Sequence, residues 1–184
     1  MNKRKFRILA IVASTPIIFF IVVFNVPIPI NIDTYALEVV IGDSSHMVER
    51  TVTIRGQYRL NILVRYHEFR GEIIISGKDE TNREIGSLHL YKSRHHIGFR
   101  DGVLIYGPLQ VPDISYIDRT RSRVFGTIYV RGLFRDTMIL HWREDYSNSL
   151  IGSPVIVLGA TSRDEAVERI LSVHPNLHYD TTNP

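Results

Sequence analysis

The chain has 184 residues, 44% of them hydrophobic, with 22 Lys or Arg against 19 Asp or Glu and no cysteine. That length suits one core and hardly two, and the missing cysteine excludes disulfides, thiol catalysis, Cys-based zinc sites and lipobox acylation. The formal charge of +3 is uneven: four basic residues lie before residue 8 and all 19 acidic ones after residue 31, so 31–184 carry 18 basic against 19 acidic residues, a net of −1, and no global basic field argues for nucleic acid.

Lys3, Arg4, Lys5 and Arg7 make a basic tail over 1–7. The run 8–24 is uncharged, and twelve of its 17 residues are Leu, Ile, Val or Phe. At roughly −0.3 to −0.6 kcal/mol each near a bilayer centre, these favour insertion by about 5 kcal/mol. Extended through Ile28, Pro29 and Ile30, the run reaches the ~30 Å of a hydrocarbon core. The reading is a single transmembrane helix over 8–30, kinked at Pro16. No Lys or Arg follows until Arg50, so the positive-inside rule keeps 1–7 in the cytoplasm and places 31–184 outside. A cleaved signal peptide needs small residues after the apolar run, where Asn25-Val26-Pro27-Ile28-Pro29 stands instead. Residues 25–35 read as a Pro-containing stalk.

From Tyr35 the pattern is one of strands. Val52, Ile54, Gly56, Tyr58, Leu60, Ile62, Val64 and Tyr66 take every even position, with polar residues between them except Leu63. Period two marks a strand buried on one face. Sixteen such residues are too long for one straight strand in a small domain, and Gly56 is the expected bend. The phase flips after Tyr66 to Phe69, Gly71, Ile73, Ile75 and Gly77, as a tight hairpin at His67-Glu68 would produce. Leu88 and Leu90 mark a further strand. Asp101-Gly102 between apolar segments predicts a hairpin. Val124, Gly126, Ile128, Val130 and Gly132 alternate again. Asp136 is expected in the next turn, Met138, Leu140 and Trp142 on one face, and 155–158 as a last strand. The segments Phe69-Arg70-Gly71-Glu72-Ile73 and Val124-Phe125-Gly126-Thr127-Ile128 match, 55 residues apart, and suggest two strands that coil alike.

Ser162-Arg163-Asp164-Glu165 reads as a capping box opening a helix over 162–174. Its stripe is Ala166, Val167, Ile170 and Leu171, Pro175 stops it, and 176–184 read as a tail.

No constellation carries a recognisable chemistry. His95 and His96 are adjacent, so on a strand they face opposite sides and do not share a metal. Arg119, Arg121 and Arg123 alternate, with Arg131 and Arg135 beyond, and read as a solvated strand face balanced by Asp113 and Asp118. Glu68, Glu72, Asp79, Glu80, Glu84, Asp101, Asp136, Glu144 and Asp145 are scattered. Ser147 and Ser149 near Asp145 belong to a turn-like stretch. Tyr58, Tyr66, Tyr91, Tyr106, Tyr129 and Trp142 read as core or cross-strand partners. No hydrolase, phosphate-loop, zinc or calcium motif is present. No catalytic, cofactor-binding or metal residue is assigned, and no cofactor is expected.

The order of basic start, apolar run, Pro stalk, Ile54-Arg55-Gly56-Gln57-Tyr58, Phe69-Arg70-Gly71, Val124-Phe125-Gly126 and the closing Val155-Ile156-Val157-Leu158-Gly159-Ala160-Thr161-Ser162-Arg163-Asp164-Glu165-Ala166 resembles a loose set of uncharacterised small membrane-anchored proteins of Gram-positive bacteria. The resemblance implies no activity.

The expected fold is all-β, an antiparallel meander forming a rolled sheet or small barrel of eight or nine strands over 31–184. It carries one C-terminal α-helix and is preceded by an N-terminal transmembrane helix. Repeated inward glycines favour a barrel over a sandwich. The expected function is a non-catalytic binding module of the cell envelope. Its partners would be the membrane through the single span and an envelope protein or a wall or lipid component, with no nucleic acid. A lipocalin-like carrier is the first alternative, although Gly-x-Trp near the first strand is missing. The second is a hydrolase assembled from distant strands, with Glu68, Glu72 and Asp136 as its test residues.

Overall fold

The computed structural model describes residues 15–16, 26–61, 64–93, 98–107, 123–142 and 152–175. Eight antiparallel strands follow in chain order: β1 (Ile28–Val40), β2 (Asp43–Arg59), β3 (Tyr66–Ile75), β4 (Ile85–Lys92), β5 (Arg100–Tyr106), β6 (Arg123–Arg131), β7 (Asp136–His141) and β8 (Pro154–Leu158). Each pairs with the next, and β8 closes on β1 from Ala36↔Leu158 to Val40↔Pro154. The sheet is therefore a closed up-and-down barrel, and the meander reading holds.

Alternation builds the inside. Val52, Ile54 and Tyr58 of β2 meet Phe69, Ile73 and Ile75 of β3 in one buried cluster. Leu88, Leu90, Leu104, Tyr106, Ile128, Val130, Ile139 and Ile156 complete it around the ring. Removing each such side chain from water contributes roughly 1.5–3 kcal/mol.

A second cluster lies outside the barrel wall. Leu37 and Val39 of β1, Met138 and Leu140 of β7, and Val155 and Val157 of β8 are covered by Ala166, Ile170 and Val173 of helix α1 (Arg163–Val173). These strands are buried on both faces, which is why 138–140 and 155–158 read as unbroken apolar runs rather than alternating ones. Ser162 caps α1, accepting from the Glu165 amide at 3.2 Å. The Glu165 carboxylate reaches back to the Thr161 amide at 2.9 Å, one residue earlier than a standard capping box.

Several expectations are corrected. No helix among the described residues is long and apolar enough to cross a membrane. Within 8–30, Thr15 and Pro16 are helical, but Ile28, Pro29 and Ile30 are the first residues of β1, with Ile30 in the core. The transmembrane helix over 8–30 is thus not part of this fold, and the stalk over 25–35 is mostly barrel strand. Register explains this: Ile28 pairs with Tyr58 and Ile32 with Ile54, so the stretch has a sheet partner throughout. The remainder of 8–24 lies outside the described residues.

The even-numbered series ends at Arg59 as a strand, and Val64 is exposed. The connection to β3 is 60–65, and His67 and Glu68 lie inside β3 rather than in a turn. Asp101 and Gly102 also lie inside a strand, with Gly102 paired to Ile128. A Cβ on Gly102 would stand 2.5 Å from the His89 carbonyl, so this glycine permits close approach of β4 rather than a turn. Asp136 opens β7 and pairs with Arg131. The two matching glycine segments each adjoin a register shift, between Phe69 and Gly71 against β4, and between Val124 and Gly126 against β5. Since β3 and β6 run in opposite directions and flank β4 and β5, the likeness is closer to a two-fold relation than to a translational repeat.

Candidate functional site

Three polar groupings stand out among the described residues. At the end of the barrel carrying the β1–β2 connection, Glu38 interrupts the apolar run of β1 and points inward, only 2% exposed. Arg50 Nε lies 2.9 Å and Lys78 Nζ 3.4 Å from its Oε2, and His46 Nε2 lies 3.3 Å from Oε1. Burial pushes the Glu38 carboxyl up, but the Arg50 hydrogen bond and the charges of Lys78 and Arg50, with the His46 bond, outweigh it and hold the group below its ordinary value. Beside it His141 faces Glu80 at 3.9 Å and stacks on Phe125. Both Glu38 oxygens are occupied, Oε2 by the cations Arg50 and Lys78 and Oε1 by His46, so this carboxylate has little capacity left as a base. It serves as a charged plug.

At the opposite end the Tyr58 hydroxyl lies 2.7 Å from His67 Nδ1. Burial, with a smaller effect of Arg100, lowers the His67 pKa to about 4, and burial raises that of Tyr58. The ring is therefore neutral at pH 7, and it shares one hydrogen bond with the phenol through Nδ1. Phe134 packs edge-on against Tyr58 and Phe69, with ring centroids 5.9 and 4.9 Å away. This grouping closes the barrel.

The third grouping faces outward from β3 and β4. The register sets Tyr66 against Tyr91 and Glu68 against His89. The Tyr66 ring lies 4.3 Å from that of His89 and 5.5 Å from that of Tyr91. Ser87 donates to Glu68 Oε1 at 2.7 Å, Arg70 Nε donates to the same oxygen at 2.7 Å, and His89 Nε2 lies 3.3 Å from Ser87 Oγ. Burial raises the Glu68 pKa, while the Ser87 and Arg70 bonds and the nearby Arg70 and His89 charges bring it below the ordinary value. Serine, histidine and carboxylate thus meet, but in the wrong order for acyl transfer. A triad places histidine between serine and carboxylate, whereas here the serine proton is already given to Glu68. What the face offers is a fixed aromatic strip whose last ring, Tyr91, is 48% exposed.

The hydrolase candidates do not converge. Glu68 and Glu72 lie on β3 and Asp136 on β7, four strands away around an eight-strand barrel. His95, His96, Arg119, Arg121, Glu144, Asp145, Ser147 and Ser149 lie outside the described residues, and Arg123 opens β6. Sequence reasoning missed the outer strip because it carried the even-numbered inward series through to Tyr66. The outward set Tyr66, Glu68, Arg70 becomes visible once the strand is broken at Arg59. It also passed over Glu38, whose signal is an acid inside the otherwise apolar stretch 36–41.

No family model, no curated protein and no solved structure matches the chain.

Proposed function

We propose that this small barrel is a non-catalytic binding module of the cell envelope, engaging its partner on the outside of the barrel at the β3–β4 face. One observation carries the reading. The described interior is occupied by the protein's own side chains from every strand, while Tyr91 stands exposed beside rings already fixed by Tyr66 and His89. Pre-positioned aromatic rings lose little freedom on binding, and such residues dominate contact energy in many interfaces. The reading includes an extracytoplasmic location, supported by the basic start before the uncharged run.

The test is a photo-crosslinking residue at position 91 in the full chain in cells. A discrete adduct that disappears with Tyr66→Ala is expected. Turnover of a wall-derived substrate by the purified protein would overturn the reading, as would an adduct pattern identical to that of a probe at exposed Glu168 on α1.

A carrier is the second reading, because a closed eight-strand barrel is the architecture such proteins use. Eight strands leave room for filling side chains or for one small ligand. Shifts of the Ile54, Leu104 and Ile128 methyl resonances on adding a fatty acid would favour it.

A further inference from the structure

We propose that the end of the barrel where β1 begins docks on an anionic lipid surface. This end adjoins Tyr66 and Tyr91, which stand at the start of β3 and near the end of β4, but the proposal does not rest on the function assigned to them. In an up-and-down barrel alternate connections share an end, so the start of β1 lies with the β2–β3, β4–β5 and β6–β7 connections. Four of the exposed large hydrophobic side chains sit there: Val26 at 54%, Val64 at 43%, Leu133 at 37% and Tyr91 at 48% exposure. None is adjacent in sequence to another, yet the topology gathers them at one end. Beside them stand the exposed cations Arg65, Lys92 and Arg135.

Charge separates the two ends. The described residues of the connections at this end, 60–61, 64–65, 93, 98–99 and 132–135, include no Asp or Glu, and Asp136, which follows at the start of β7, is paired with Arg131. The described residues of the connections at the other end, 41–42, 76–84, 107, 142 and 152–153, hold Asp79, Glu80 and Glu84 against Lys78 and Arg83. Apolar tips among cations, without a carboxylate in those connections, suit a surface of phosphate head groups over hydrocarbon: the cations pair with phosphate, and the tips enter the head-group boundary. A second feature chooses lipid over protein as the occupant. The uncharged run 8–24 leads into β1 at this same end through Asn25, Val26 and Pro27, so the most apolar part of the chain joins the barrel where the cations are.

The absence of cysteine makes the test clean, since one introduced thiol takes one label. The full chain is placed in phosphatidylcholine vesicles with or without about one third phosphatidylglycerol. A fluorophore is attached at Leu133→Cys, and in a separate protein at Ser44→Cys, which is exposed at the other end. The quencher is a head-group spin-labelled lipid. The Leu133 label should be quenched in anionic vesicles and released several-fold by high salt, and the Ser44 label should stay bright. Arg65→Glu with Arg135→Glu should reduce quenching at Leu133 by roughly tenfold, with an unchanged circular dichroism spectrum showing that the barrel is intact. Equal quenching at both positions overturns the proposal, as does a Leu133 signal indifferent to lipid charge. A crosslink at position 91 that survives the double charge reversal would leave the envelope-binding reading standing while the docking proposal is judged on quenching alone.

Discussion

The Tyr106 hydroxyl donates to the Ile73 carbonyl at 2.6 Å, although β5 and β3 are not neighbours in the sheet. The reason lies in β4, which begins at Ile85, opposite Gly71. No β4 residue stands opposite Ile73, so the last turn of β3 lacks its ladder partner. Tyr106 supplies one bond across the gap. Thr81, in a 3-10 turn (Asp79–Thr81), supplies another by accepting from the Ile75 amide at 2.9 Å. Burial, helped by Glu80, raises the Tyr106 pKa far above its ordinary value, so it remains a donor throughout the folded pH range.

Replacing Tyr106 by Phe therefore leaves a buried carbonyl unpaired with little change of shape. A loss of about 1–3 kcal/mol is expected, read as a lower urea midpoint at unchanged slope. A midpoint equal to that of the parent would show that the bond contributes nothing.

Phe134 is held inward by a turn in which Leu133 and Phe134 both have positive φ, 57° and 67°. Bulky residues occupy this region at a cost of roughly 1–2 kcal/mol each, and here burial of the Phe134 ring offsets it. Phe134→Ala should cost about 3–5 kcal/mol. Leu133→Gly, which removes a strained Cβ from an exposed position, should raise stability by about 1 kcal/mol. Thermal melts of the two variants should therefore move in opposite directions.

Acid should weaken the fold in two stages. His67, with a folded pKa of about 4 against an ordinary 6.5, binds its proton more readily when unfolded. Its contribution is complete above pH 6.5 and is lost as pH falls from there towards 4. Burial, then the charge of Lys78, shifts His141 in the same direction, against the opposing pull of Glu80 and Glu38. Glu38 has a lowered folded pKa, so its contribution is present above about 4.5 and lost as pH falls through the folded value. Urea midpoints between pH 8 and 3 should show both steps. In NMR the His67 ring should titrate near 4, and Arg100→Gln, which removes the nearby charge, should bring that value upward. A His67 resonance titrating at 6.5 in the parent protein would disprove the account.

The helix cap gives a simpler measurement. Ser162→Ala removes the acceptor for the Glu165 amide and should cost about 1 kcal/mol. Because α1 covers the outer wall of β1, β7 and β8, Ile170→Ala should cost more, about 2–5 kcal/mol.

Much of this arrangement is readable along the chain. The alternation in 52–58 and in 126–130, and the capping residues before α1, are local patterns, and the residues obey them in place. The misreadings share one cause. His67-Glu68 and Asp101-Gly102 have the composition of turns, but register with β4 and β6 holds them extended. Likewise Ile28-Pro29-Ile30 continues an apolar run in sequence, while pairing with Gly56, Gln57 and Tyr58 makes it strand.

The sequence alone determined which residues avoid water and with what period, because that depends on side-chain chemistry and on neighbours one or two positions away. The tertiary structure decided where strands begin and end, that the sheet closes, that α1 covers its outer wall, and which distant side chains meet. Those outcomes depend on hydrogen-bond register between segments far apart in the chain, and register is set only when all eight strands pack around one interior.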